Sequence, residues 1–111
     1  MALFIVVHHR EDIRQPWRNS WLDDERLRAI TTTPQIGHMC EDSALRGERV
    51  FVHRCTWGEH RPSVVCSVEV DRVDAVDRRT SLVTFQDEEV IGVPPPRSPQ
   101  LGQNFYEAEA V

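Results

Sequence analysis

Residues 2–7 read Ala-Leu-Phe-Ile-Val-Val. A short unbroken apolar run containing β-branched residues predicts a strand buried on both faces, because alternate side chains leave on opposite sides and none of these is polar. Residues 50–57, Val-Phe-Val-His-Arg-Cys-Thr-Trp, predict a second strand. It places Phe51, His53, Cys55 and Trp57 on one face and Val50, Val52, Arg54 and Thr56 on the other. Two strands apolar on both sides set a coverage problem that the rest of the chain must solve.

Further strands follow. Val64, Cys66, Val68 and Val70 share a face, after which valine recurs every third residue at Val70, Val73 and Val76. That spacing fits neither a strand nor a long helix, so a strand with a bulge near Asp71 and Arg72 is expected, bending the sheet. A turn is expected at 77–80, a strand at 81–85, a solvated turn at Asp87, Glu88 and Glu89, and a short edge strand at 90–93.

Two short helices are expected between the first strand and Val50. Ser20 and Asp23 match a capping box before Leu22, Arg26, Leu27 and Ile30, and Thr31, Thr32, Thr33 and Pro34 end that segment. The second spans 34–46, with Thr33 as N-cap, Pro34 in the first turn and Gly47 as left-handed C-cap. Its apolar face is Ile36, Met39, Cys40, Ser43 and Ala44, although Gly37 weakens helix propensity.

The expected fold class is therefore α+β: a bent, mostly antiparallel sheet of four to five strands with two short N-terminal helices. The alternative is a small β-barrel from 48 to 93 with a helical N-terminal extension. Two helices shelter only one sheet face, so the other is covered by curling or by a second copy, and a homodimer is expected. At 111 residues the chain fits one domain, assigned to 1–93. Residues 94–111 form a Pro-rich linker and tail, in which Pro94, Pro95 and Pro96 favour polyproline II and Phe105 and Tyr106 offer a docking point.

Thirteen basic residues, all arginine, against eighteen acidic ones give a net charge of −5. Such a chain repels a phosphate backbone at long range, and the 34–46 helix holds Glu41 and Asp42 with no basic residue before Arg46, so no nucleic-acid partner is expected. The longest apolar run is far short of the ~20 residues of a membrane span and lacks a basic leader, so no membrane association is expected. Three cysteines, an odd number, predict reduced thiols and a cytoplasmic location.

Histidine and cysteine stand two residues apart twice, at His38/Cys40 and His53/Cys55, with His60 and Cys66 following. Imidazole and thiolate are zinc ligands. On a strand His53 and Cys55 share a face, whereas on a helix His38 and Cys40 lie about 200° apart and cannot share an ion. Candidate metal ligands are thus His53, Cys55 and Cys66, with zinc as the metal. Candidate ligand-binding residues are His53, Cys55, Trp57 and His60. A thiol enzyme would use Cys55 with His53 or His60 as base. No third orienting residue is legible, and no C-x-x-C or H-E-x-x-H occurs. The functional expectation is accordingly a small binding or assembly module for a protein partner or small ligand, with a metal-binding or thiol-dependent enzyme as the alternative.

Overall fold

The computed structural model describes residues 1–9, 20–21, 28–55, 64–91 and 105–110. Seven strands and one helix run in the order β1 (Ala2–His9), β2 (Ser20–Trp21), β3 (Ala29–Thr32), α1 (Pro34–Leu45), β4 (Val50–Cys55), β5 (Val64–Ala75), β6 (Ser81–Val90) and β7 (Phe105–Ala108). They form one sheet in the order β2-β3-β6-β5-β4-β1-β7. Pairings are antiparallel except β1 with β4 and β1 with β2.

The sheet curls into a half-barrel. β1 offers one edge to β4 and divides the other: Ala2, Leu3, Phe4 and Ile5 pair with β7, while His8 and His9 pair with Ser20 and Trp21 of β2. Since β2 lies at the far end of the strand order, that pairing brings the two sides of the sheet together at one end of β1. The mixed α+β class and the bent sheet expected from the sequence are present, with more strands and fewer helices. The barrel-like alternative of residues 48–93 is met only in part: the sheet curls to a half-barrel, but it also takes in β1, β2, β3 and β7 from outside that range.

The helix expected to begin near Trp21 is replaced by strand at both of its ends; residues 22–27 lie outside the described region. Ala29, Ile30, Thr31 and Thr32 alternate between half-buried and buried. Ile30 pairs with Val83 and Thr32 with Ser81. Three consecutive β-branched residues suit a pleated surface, and the long-range ladder to β6 overrides the local capping signal around Ser20.

Helix α1 follows its expected limits closely. Thr33 caps it in extended conformation, its hydroxyl accepting from the Ile36 N–H at 3.4 Å. At the other end Gly47 takes φ +68°, its N–H reaching the Ala44 carbonyl at 3.0 Å while the Glu48 N–H reaches that of Ser43 at 2.9 Å. Those paired bonds are a Schellman cap, which needs the left-handed residue glycine supplies. Ile36, Gly37, Cys40 and Ser43 face inward, Met39 only partly, and Ala44 is exposed. The helix packs on β5 and β6 inside the curl.

Gly37 reduces helix propensity for a packing reason. A Cβ there would stand 3.1 Å from both Cβ and Oγ of Ser81 and 3.3 Å from Cγ1 of Val73. Gly37→Val is therefore expected to destabilise the fold by about 2 kcal/mol through overpacking, read from the urea midpoint. An unchanged midpoint would mean that α1 slides freely on the sheet.

The bulge expected near Asp71 is present. Val70 pairs with Phe85 and Arg72 with Thr84, leaving Asp71 as the extra residue. It changes the parity of the strand: Cys66, Val68 and Val70 point inward before it and Val73 after it, which explains the three-residue valine spacing. The turn expected at Asp87, Glu88 and Glu89, with a separate strand after it, is corrected. β6 runs through to Val90 across a second register shift, between Ser67 and Glu69 of β5. Asp87 takes φ +57° there. Arg49 ties the irregularity down: Nε donates to Ser67 Oγ at 2.6 Å, Nη1 meets Asp87 Oδ2 at 3.3 Å, and Nη2 donates to the backbone carbonyls of Ser67 and Asp87.

Both faces of β1 are buried within one chain. The inner core holds Leu3, Ile5, Val7, Val50, Val52, Ile30, Val83 and Phe85 around the helix contact; the outer one holds Phe4, Val6, Phe51, Val65 and Tyr106. The curl around α1 covers the inner face, and the outer cluster is likewise buried within the single chain. No helix among the described residues is long and apolar enough to cross a membrane.

Candidate functional site

His53 stands at the middle of β4, opposite Val6 of β1 on one side and Val65 of β5 on the other. Beside it runs a cross-strand stack of rings. Phe4 lies between Phe51, at a centroid distance of 4.9 Å and 16° between planes, and Tyr106, at 5.0 Å and 9°. The stack follows from register, since Phe4 pairs with Phe51 and with Tyr106. The Tyr106 ring meets His53 edge-on at 6.4 Å, and its hydroxyl lies 3.5 Å from His53 Nδ1.

His53 is 1% exposed, and its Nε2 is buried without a hydrogen-bond partner among the described residues. Burial pushes its pKa below the ordinary value of 6.5, because an imidazolium there would lose its hydration. The described groups facing the ring are Val6, Val65 and Tyr106. His53 is thus a neutral core histidine shielded from solvent, so the site it was expected to anchor does not open at this residue.

The sign of the resulting pH dependence is definite. The unfolded chain protonates His53 near 6.5 and the folded chain at lower pH, so the unfolded state binds more protons between those values. Stability is complete above the unfolded value and falls as pH drops through it toward the folded one. Urea titrations between pH 7.5 and pH 5 are expected to show wild type losing more stability than His53→Leu. Parallel losses in the two proteins would remove His53 as the cause.

Cys66, a second expected metal ligand, points elsewhere. Cys66 pairs with Val52, and both belong to the inner core, whereas His53 joins the rings outside. The structure does not bring His53 and Cys66 to one centre. Cys66 Sγ lies 3.9 Å from Glu88 Oε1. Cys55 contributes its backbone to β4 opposite His8; its side chain, Trp57 and His60 lie outside the described residues. Among the described residues no group of three His, Cys, Asp or Glu side chains is placed to hold a metal. Cys40 is buried on α1, where desolvation first and Glu41 second push its thiol up to about 12. It is a small hydrophobe rather than a nucleophile. His38, on the exposed side of α1, lies 3.7 Å from Glu41.

No family model, curated protein or solved structure matches the chain.

A concavity with the dimensions of a ligand site lies elsewhere. Residues 31–33, where β3 passes into α1, form one side, and the β5–β6 turn at 77–80 forms the other. The cleft encloses about 570 Å³, within the range of roughly 300–1,000 Å³ usual for small-molecule pockets. Pairing of Thr32 with Ser81 and Thr31 with Leu82 places the two walls side by side. The turn is internally braced: the N–H groups of Val76 and Asp77 reach the Thr80 carbonyl at 3.0 and 3.3 Å, and Asp77 Oδ1 accepts from the Arg79 N–H at 2.8 Å. Neither Arg78 nor Arg79 forms a side-chain ion pair among the described residues. Sequence reasoning assigned these segments to a helix end and a turn. The one local signal was two adjacent arginines in a turn whose only acid, Asp77, is turned to the backbone.

Proposed function

We propose that the chain is a non-enzymatic binding module for a small ligand, acting in a reducing, cytoplasmic setting. The cleft between residues 31–33 and 77–80 carries this reading: it has ligand dimensions, a braced wall, and threonines and two arginines among its lining residues. A concavity of this size suits a small molecule better than a protein surface, which needs an area of ~800 Å² per partner. Cys40 and Cys66, buried and not joined in a disulfide, support the reducing setting. A metal or thiol enzyme built on His53 ranks below this reading, because His53 is closed to solvent and neutral.

The test is a fragment screen followed by backbone amide spectra. Binding fragments are expected to shift the amides of residues 31–33 and 77–80 above all others. Hits that consistently map to β4 or β7, with the cleft amides still, would overturn the assignment.

A further inference from the structure

The cleft carries unequal charge. Asp77, Arg78 and Arg79 sum to +1 on one wall, in a chain whose net charge is −5. The Asp77 carboxylate is partly engaged, accepting the Arg79 N–H at 2.8 Å, whereas among the described residues neither guanidinium is ion-paired. Facing them are Thr31, Thr32 and Thr33, and Thr80 completes the turn wall. A threonine carries a methyl group as well as a hydroxyl, and Thr31, Thr33 and Thr80 are half-buried at the cleft whereas Thr32 is buried. Thr33 Oγ1 is committed to capping α1.

We propose that the ligand of this cleft is a small organic anion: a carboxylate or phosphate held by Arg78 and Arg79, on an apolar body seated against the threonine methyls. The inference rests on the reading of the cleft as the binding site and names the class of molecule it takes. Guanidinium forks match the planar or tetrahedral oxygens of such groups. The exposed position of both arginines and the acidity of the chain set a modest affinity that declines with ionic strength.

The experiment titrates the full chain with phenyl phosphate, benzyl alcohol and inorganic phosphate, each followed at the amides of residues 31–33 and 77–80. Phenyl phosphate is expected to saturate these amides and to bind more tightly than either of the others. The double variant Arg78→Gln/Arg79→Gln, checked for an unchanged fold by its spectrum, is expected to weaken phenyl phosphate about tenfold and leave benzyl alcohol unaffected. Equal affinity for phenyl phosphate and benzyl alcohol, or no loss in the double variant, overturns the anionic class while leaving the cleft as a binding site. Inorganic phosphate binding as tightly as phenyl phosphate overturns the apolar body. Silence of the cleft amides toward all three probes overturns both the class and the site.

Discussion

Phe4→Ala is expected to destabilise the protein by about 4 kcal/mol, read as a shift of the urea midpoint at unchanged slope. Phe4 is fully buried, and its ring is held on both sides, by Phe51 from β4 and Tyr106 from β7. Removing it deletes two ring contacts and leaves a cavity that strands held in register on either side cannot collapse to fill. Against a total stability of roughly 5–15 kcal/mol, such a loss is a large share. Phe4→Leu retains most of the buried volume and is expected to cost about half as much. Val76→Ala, at a position 60% exposed, is expected to change stability by less than about 0.5 kcal/mol. If Phe4→Ala cost as little as Val76→Ala, the outer layer of rings would not be packed as described.

Deleting residues 105–111 is expected to cost at least as much, about 4 kcal/mol or more. β7 is only four residues long, yet Tyr106 is 2% exposed and Phe105 packs against the inner core. Its removal takes one ring from the stack, strips the Tyr106 hydroxyl from His53 and leaves the edge of Ala2, Leu3, Phe4 and Ile5 unpaired. An unpaired apolar edge also promotes association, so the shortened chain is expected to aggregate on concentration. Tyr106→Phe keeps the ring and loses only the hydroxyl, at an expected cost below about 1.5 kcal/mol. A shortened chain with the midpoint of the full one would show that β7 adds nothing to the sheet.

Much of the strand architecture was legible because its signals are local. The unbroken run of residues 2–7 required packing on both sides, and Leu3, Ile5 and Val7 face the inner core while Phe4 and Val6 face the outer. The valine spacing around Asp71 recorded a change of parity, and Thr33 and Gly47 marked the ends of α1. What misled was equally local. Ser20 and Asp23 resemble a helix start, but Ile30 and Thr32 find partners on β6. The acidic run at Asp87 resembles a solvated turn, but Arg49 reaches it from the start of β4 and holds it in the ladder. The His/Cys pattern suggested a site, but alternation within paired strands sends His53 and Cys66 to different cores.

By itself the sequence determined which side chains share a face of β1, β4 and β5, where β5 bends, and where α1 begins and ends. Those properties depend on neighbours within a few residues, through alternation, parity and capping. Only the tertiary structure decided that β2 returns to β1, that β7 completes the ring stack, and that the β3–α1 junction faces the β5–β6 turn across a cleft. Such pairings join segments distant in the chain, and their free energy comes from surfaces that exist only once the sheet has curled.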